Sequence, residues 1–194
     1  MVDRTIHGKY ENYQTPERSI PEKQLPYPWE SCITLGVDWG WTPHAKFKSS
    51  QEVVNMLIEV VAKGGCLLLG VGPTPEGIIQ PEVEERLKAV GAWLKKNGEA
   101  IYNTRITPLY QSGEVWFTAG KDQHTLYAMY ALPEGERLPA VIEWEGNVPR
   151  KGSRMILLQT GKSVRWTSQG EKVKVYLPKS VLKNKEAVAF SFTK

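Results

Sequence analysis

The spacing of apolar side chains changes twice along the chain, and these changes divide it into three parts. Residues 1–48 show no regular period and are rich in proline, so little regular structure is expected there beyond a short apolar run at 31–36. Residues 49–102 combine helical spacing with one continuous apolar run. After Tyr102, short β-rich runs are separated by glycine, proline and polar turns. The pattern predicts a loop-rich start, an α/β middle and a β-rich end.

The middle part predicts a helix, a strand, a loop and a second helix. Residues 49–63 repeat apolar side chains at helical spacing, and Ser49 followed by Glu52 is a capping-box pattern. The run at 66–71 is continuously apolar, as in a parallel strand that is buried on both faces. Pro81 suits the first turn of the next helix. The buried side of that helix is predicted to hold Val83, Leu87, Val90, Trp93 and Leu94.

This order of elements is typical of βα-barrel and doubly wound folds. In both folds the chemistry lies beyond the carboxyl ends of parallel strands, so we expect the loop at 70–77 to lie on the functional face. A glycine-rich phosphate loop is the competing interpretation of Gly70 and Gly72. It fails because Pro73 and Pro75 remove backbone donors and no Gly-Lys-Ser/Thr sequence follows.

The β-rich end of the chain predicts an antiparallel β-sandwich. Val173, Val175 and Leu177 alternate with polar neighbours, as in a strand with one buried face. We place the boundary between an α/β domain, residues 1–105, and a β-sandwich domain, residues 106–194. Six runs carry the strand signal, at 114–119, 125–132, 140–144, 155–158, 173–177 and 187–192.

Composition and charge exclude several classes of function. Hydrophobic residues at 41% and charged residues at 24% are typical of a globular protein in water. The net charge is +4, but the basic residues are scattered among 21 acids, which predicts no nucleic-acid surface. No apolar run approaches the length of a membrane span, and the start lacks the basic-then-apolar pattern of a signal peptide. Cys32, Cys66 and the three histidines lack metal-ligand spacing, so we expect no metal site.

Five motifs, in one order along the chain, resemble the C-terminal part of retaining α-L-fucosidases. They are Tyr-Glu-Asn-Tyr-Gln-Thr-Pro-Glu (10–17), Pro-Trp-Glu-Ser-Cys (28–32), Trp-Gly-Trp (39–41), Lys-Gly-Gly-Cys-Leu-Leu-Leu-Gly-Val-Gly-Pro-Thr-Pro-Glu-Gly (63–77) and Asn-Gly-Glu-Ala-Ile-Tyr (97–102). In the fourth motif, Cys66 and Gly70 stand where the family has asparagine. A closed barrel takes about 250 residues. The resemblance therefore implies that residues 1–105 are the C-terminal portion of a catalytic (β/α) TIM-like barrel, followed by the C-terminal β-sandwich.

The resemblance also implies which carboxylates carry the chemistry. A retaining glycosidase needs a nucleophile and an acid/base group, with their carboxyl groups about 5–5.5 Å apart. The segment Thr15-Pro16-Glu17 is similar to the one that holds the family's acid/base glutamate, so Glu17 is the acid/base candidate. Glu11, in the same loop, is the alternative. The family's nucleophilic aspartate lies on an earlier barrel strand, and we expect it upstream of this chain.

Three further side chains are implied as substrate contacts. Val2-Asp3-Arg4 resembles a family segment in which the arginine binds fucose, which makes Arg4 a candidate. Trp39 and Trp41 lie at a predicted strand end, where alternation would point both to one side. The resemblance implies that this position offers an aromatic wall to the sugar face and the C6 methyl group. The structural alternatives are a surface ion pair for Arg4 and core packing for both tryptophans.

The resemblance predicts hydrolysis of terminal α-L-fucosyl linkages in glycans and glycoconjugates, with retention and without a metal or organic cofactor. The alternative is a catalytically incomplete fragment that acts as a carbohydrate-binding or structural module. The expected partners are a fucosylated oligosaccharide or glycoconjugate, and either a chain that carries the N-terminal half of the barrel or a second copy. The second expectation arises because half a barrel exposes strand edges and apolar faces. Family members are often periplasmic, secreted or lysosomal, and the compartment of this chain stays open.

Overall fold

The change of spacing along the sequence corresponds to a change from parallel to antiparallel strands. The computed structural model describes residues 2–3, 9–10 and 12–194. Two structural units divide at residue 91, the first comprising residues 1–91 and the second residues 92–194. The long helix α2 (Pro81–Asn97) contains the point of division.

Four strands of the first unit run in the same direction. They are β1 (Val2–Asp3), β2 (Tyr13–Gln14), β3 (Glu30–Thr34) and β4 (Cys66–Gly70). Parallel ladders join β1 to β2 and β3 to β4. Isolated parallel bridges join Gln14 to Trp29 and Glu17 to Cys32, so the chain after β2 follows the edge of β3. The spatial order is therefore the order of the sequence, as in an α/β sheet built from successive crossovers.

Helix α1 (Ser50–Ala62) crosses from β3 to β4 and begins with the predicted capping box. The Ser49 hydroxyl accepts from the Glu52 amide at 3.0 Å, and the Glu52 carboxylate accepts from the Ser49 amide at 2.6 Å. These two bonds satisfy donors that the first turn leaves unpaired. The buried face of the helix consists of Val53, Val54, Ile58, Val60 and Ala62.

The carboxyl end of α1 is fixed to the segment that leads into β3. Lys63 is 5% exposed, and its ammonium group donates to the Pro21 carbonyl at 2.8 Å and to the Glu59 carboxylate at 2.6 Å. The Trp29 indole, 1% exposed, donates to the Lys63 carbonyl at 3.3 Å. A buried ammonium group requires such partners, and they hold the loop before β3 against the helix.

Two predicted burial patterns in the first unit are wrong. Strand β4 was expected to be buried on both faces, but Cys66 is exposed and Leu68 is 44% exposed. Leu67 and Leu69, on the opposite face, are partly buried. In α2, Leu87 was expected on the buried side and is 39% exposed, because the buried stripe runs through Val83, Val90 and Trp93.

The second unit is an antiparallel β-structure, as predicted. After a 3-10 turn at Gly98–Ala100, its strands are β5 (Thr104–Arg105), β6 (Gln111–Ser112), β7 (Val115–Gly120), β8 (Thr125–Tyr130), β9 (Val141–Glu145), β10 (Met155–Leu157), β11 (Lys162–Gln169), β12 (Lys172–Tyr176) and β13 (Val188–Thr193). They pair in the order β5-β7-β8-β13-β10-β11-β12-β9, and β6 also pairs with β7. Each of the six predicted runs overlaps a strand.

Strand β11 was missed because its sequence is polar, and it is the strand that joins the two layers of the sheet. Residues 162–164 pair with β10, whereas residues 165–169 pair with β12. The sheet therefore curls so that β9 faces β7 and β13. The Trp144 ring packs at 5.9 Å from the ring of Phe117 and 6.0 Å from that of Phe192, between centroids. These aromatic contacts join the two layers of a β-sandwich.

None of the helices in the described ranges combines the length and the apolarity needed to cross a membrane.

Replacing Trp144 should destabilise the sandwich more than replacing an exposed residue. Trp144 is 4% exposed, so Trp144→Ala leaves a cavity between the layers and should lower the free energy of unfolding by about 3–5 kcal/mol. Denaturant unfolding followed by circular dichroism measures this change. Tyr102→Ala is the control, because Tyr102 is 59% exposed and should change stability little. Equal effects of the two variants would contradict the assignment of Trp144 to the core.

Candidate active site

Two of the predicted site residues meet at the carboxyl ends of the parallel strands. The Trp39 indole Nε1 donates to Glu17 Oε1 at 2.7 Å. Glu17 is held there because its backbone bridges Cys32 of β3, and Trp39 belongs to the loop that follows the same strand. Glu17 is exposed and Trp39 is half-buried. The indole N–H can only donate, so Oε1 is the acceptor in this contact.

A second polar contact joins the same two segments. Arg18 Nη2 donates to Asp38 Oδ1 at 2.9 Å, and the Trp39 backbone amide donates to the same oxygen at 2.8 Å. The side chains of Arg18 and Asp38 are 47% and 62% exposed. Two contacts therefore link residues 17–18 to residues 38–39, and a third bond within residues 38–39 helps to fix the direction of the indole.

Trp41 occupies a different position from Trp39. The residues after Leu35 form bends and not a strand, so the expected alternation of the two tryptophans does not apply. Trp41 is 39% exposed and lines a cleft of about 490 Å³ together with His44, Phe47 and Arg86. The structure thus brings Glu17 and Trp39 together and leaves Trp41 on the neighbouring cleft. Arg4 and Glu11, the other two candidates, lie outside the described residues.

The starts of the same strands carry a separate group of titratable side chains. Tyr13 lies on β2, Glu30 on β3 and Cys66 opposite Glu30 on β4. Burial raises the pKa of the Tyr13 phenol, and the Glu30 carboxylate raises it further. Tyr13 therefore stays protonated at neutral pH. Cys32 and Cys66 are both free thiols. Within the ranges that the structure describes, no three His, Cys, Asp or Glu side chains are grouped so as to hold a metal ion.

The residues that sequence reasoning missed are Arg18 and the pairing role of Asp38. Each directly follows or precedes a predicted site residue, but the two are 20 positions apart. Adjacency to Glu17 and Trp39 was the available signal. It carried no information about pairing, because that depends on how the two segments are brought together by β3.

The chain is similar to known proteins of one family. A family model described as alpha-L-fucosidase matches residues 1–99. Plasma alpha-L-fucosidase of Rattus norvegicus is 38% identical over 136 residues, which are 64% of this chain and 28% of that protein. Among solved structures, alpha-L-fucosidase isoenzyme 1 from Paenibacillus thiaminolyticus matches 94% of this chain with a TM-score of 0.80 and 29% identity.

A second solved structure, Thermotoga maritima alpha-fucosidase in complex with fucose, matches 99% of this chain with a TM-score of 0.78 and 25% identity. The match covers 44% of that chain, and the match to the Paenibacillus protein covers 45% of its chain. This chain therefore spans less than half the length of each of these relatives.

Breaking the Arg18–Asp38 ion pair should disturb Trp39 without unfolding the protein. Both side chains are exposed, so Asp38→Ala should cost less than about 1 kcal/mol of stability. It also removes the acceptor of the Trp39 amide, so the Trp39 indole N–H resonance should shift in a proton–nitrogen NMR spectrum. That resonance is assigned by its loss in Trp39→Phe.

Glu143→Ala is the matched control for this change. It breaks the ion pair between Lys174 and Glu143, which has a similar length of 2.8 Å and similar exposure, 47% and 53%. It should leave the Trp39 resonance in place. An unchanged Trp39 resonance in Asp38→Ala would show that the ion pair does not orient the indole.

Proposed function

Because the chain belongs to the alpha-L-fucosidase family, we propose that it forms the acid/base side of a retaining α-L-fucosidase active site. The family predicted from the five motifs is thereby confirmed. The observation that carries the proposal for the site is the 2.7 Å hydrogen bond between Trp39 and Glu17 at the carboxyl ends of parallel strands. In barrels of this class, catalytic side chains come from that edge of the sheet.

The contact supports an acid/base role for Glu17, with Trp39 as its hydrogen-bond donor. Glu17 protonates the glycosidic oxygen as the leaving group departs, and later takes a proton from the water that releases the sugar. An aspartate outside this chain attacks the anomeric carbon and forms the covalent intermediate. No metal or organic cofactor takes part in these steps.

The remaining candidates act in substrate binding. Arg4 donates hydrogen bonds to sugar hydroxyls, because its guanidinium group carries several fixed donors. Trp39 presents its ring to the sugar face and the C6 methyl group, and Trp41 contacts the bound glycan from the neighbouring cleft. The substrate is a terminal α-L-fucosyl group on an oligosaccharide or glycoconjugate. The Thermotoga maritima relative, whose structure is of a complex with fucose, supports this class of ligand.

The first unit is proposed to be the last portion of a (β/α) barrel. Its strands are parallel and follow one another in sequence order, and β4 has no partner on its outer edge among the described strands. The proposed barrel portion includes α2, because α2 and the strand before it form one βα unit. The predicted boundary at residue 105 lies two residues too late for the sheet, because β5 at Thr104–Arg105 already pairs with β7. The strands from β5 onward form the C-terminal sandwich. The occupant of the open edge is the preceding half of the barrel, in the same polypeptide or a separate chain.

The second candidate function is a carbohydrate-binding or structural module without turnover. One observation favours it over catalysis by this chain alone. Asp38 is a second carboxylate at this edge among the described residues, and its Oδ1 is held by Arg18 and by the Trp39 amide. Asp38 is therefore not arranged as a nucleophile opposite Glu17.

Hydrolysis of aryl α-L-fucosides tests the proposed roles. The 194-residue chain is assayed alone and combined with the unmatched part of the Paenibacillus thiaminolyticus isoenzyme 1. We expect no turnover by the chain alone and turnover by the combination. Glu17→Gln should lower kcat/KM of the combination by about 10²–10⁴-fold for a poor leaving group, and less for an activated one, because only the poor one needs protonation. Azide should rescue Glu17→Ala and yield a fucosyl azide of retained configuration.

Glu22→Gln serves as the control, since Glu22 is an exposed carboxylate on the same loop-rich segment. An unaffected Glu17→Gln variant would transfer the acid/base role to Glu11. Turnover by the isolated chain that Glu17→Gln abolishes would mean that the nucleophile lies within these residues, and the proposed missing half would be wrong.

The open face of β4 should make the isolated chain associate with itself. Leu68 is 44% exposed in the middle of a strand whose outer edge is unpaired among the described residues, so Leu68→Glu should reduce association. Sedimentation velocity over a range of concentrations measures it. Ile78→Glu is the control, because Ile78 is 60% exposed on the loop after the strand. A chain that is monomeric at every concentration would contradict the open-barrel proposal.

A further inference from the structure

We propose that Gly70 is a positioning residue of this site. Its missing side chain gives the Trp39 indole room to lie on the end of β4 and to donate to Glu17. The geometric part of this proposal stands on the contacts of Gly70 and Trp39 alone. Its catalytic part rests on the proposed acid/base function of Glu17.

The space beside Gly70 is filled by the Trp39 ring. A Cβ built on Gly70 would lie 2.6 Å from Cζ3 and 2.8 Å from Cε3 of Trp39, and the next nearest atom is the Ile33 carbonyl oxygen at 3.7 Å. Carbon atoms in van der Waals contact are about 3.5–4.0 Å apart. Of these neighbours, only the indole lies closer than van der Waals contact, so a side chain at position 70 must displace it.

Displacing that ring also breaks the contact with Glu17. Cζ3 and Cε3 belong to the six-membered ring of the indole, and Nε1 belongs to its five-membered ring. The fused ring system is rigid and planar, so a movement that clears Gly70 also moves Nε1 relative to Glu17 Oε1, now 2.7 Å away. Hydrogen bonds weaken steeply when distance and angle depart from their narrow optimum.

The backbone of residue 70 gives no other reason for a glycine. Gly70 is the last residue of β4, paired in register with Thr34, and it is not among the glycines with positive φ. Glycine in a regular strand is unfavourable, because it gains no side-chain packing and loses more conformational entropy on folding. A glycine at such a position marks a close approach by another group, and that group is Trp39.

Gly72 contributes to the same fit through the backbone. A Cβ on Gly72 would lie 2.6 Å from the Gly40 carbonyl carbon and 2.6 Å from the Trp41 nitrogen. By contrast, a Cβ on Gly40 has open space, with nothing within 4 Å. The two glycines after Leu69 therefore form the surface on which residues 39–41 rest, and Gly40 provides an internal comparison for them.

The test uses the 194-residue chain and a proton–nitrogen NMR spectrum of its indole N–H groups. The Trp39 resonance is assigned with Trp39→Phe, and Glu17→Ala defines its position when the hydrogen bond is lost. We expect Gly70→Ala to move the resonance to that position and to lower the unfolding midpoint. Gly40→Ala should leave the resonance in place. A Trp39 resonance that is unchanged in Gly70→Ala would overturn the proposal.

A double-mutant cycle separates the Trp39 contact from a general effect of alanine at position 70. In a Trp39→Leu background, Gly70→Ala should no longer lower the unfolding midpoint, because the obstructing ring is gone. The same comparison applies if Gly70→Ala alone fails to fold: a folded double variant supports the proposal, and an unfolded one overturns it. Equal losses with and without Trp39 would also overturn it.

Activity provides the link to the proposed function. In the combination with the barrel half, Gly70→Ala should lower kcat/KM for a poor leaving group by about 10²-fold, as expected for a small misplacement of a catalytic group. If Glu17→Gln has no effect while the NMR result and the cycle hold, the acid/base function fails and the positioning of Trp39 by Gly70 stands. If Glu17→Gln is inactive and the Trp39 resonance is unchanged in Gly70→Ala, the acid/base function stands and the positioning of Trp39 by Gly70 fails.

Discussion

The hydrogen bond from the Trp39 indole to the Glu17 carboxylate is the contact on which the candidate site depends. It joins the segment that enters β3 to the segment that leaves it, at the end of the strand where α/β folds carry their chemistry. Neither partner is fixed by burial, since Glu17 is exposed and Trp39 is half-buried. Their arrangement is fixed by directional contacts: the shared oxygen of Asp38 and the close approach of the indole to Gly70.

A tightly packed layer lies at the starts of β3 and β4, at the opposite end of the strands from these exposed contacts. Trp29 is 1% exposed, and its ring lies so close to Gly65 that a Cβ there would collide with it. The buried Lys63 ties the end of α1 to the loop before β3. Functional side chains on loops gain precision from a packed scaffold of this kind. Glycine recurs in both layers for one reason, because Gly65 and Gly70 each admit the face of a tryptophan.

The sequence predicted the parts of the structure that depend on local patterns. Helix α1 with its capping box, strand β4 and six strands of the sandwich follow from spacing and turn residues within a few positions of each other. Strand β11 escaped because only Val164 and Trp166 mark its inner face, and both are merely half-buried. The pairings of Glu17 with Trp39 and of Arg18 with Asp38 were not predicted. Their partners are 22 and 20 positions apart in sequence, and only the path of the chain through β3 brings them together. Gly70 stood out as a departure from the family motif, but only the folded structure identifies the ring that fills its space.

The two units differ in how completely they bury the side chains and pair the edges of their strands. This difference bears on the chemistry. In the sandwich, inward side chains such as Val188 and Phe190 are fully buried. In β4, leucines occupy both faces, yet Leu68 remains 44% exposed beside an edge that no described strand pairs. Apolar residues on both faces suit a strand covered on both sides. A retaining glycosidase also needs a second carboxylate about 5–5.5 Å from the first. Under the proposed function, the preceding half of the barrel meets both requirements, because the strands that would cover Leu68 end at the same edge as Glu17. The same missing segment would then pair the open edge of the sheet and supply the second carboxylate of the site.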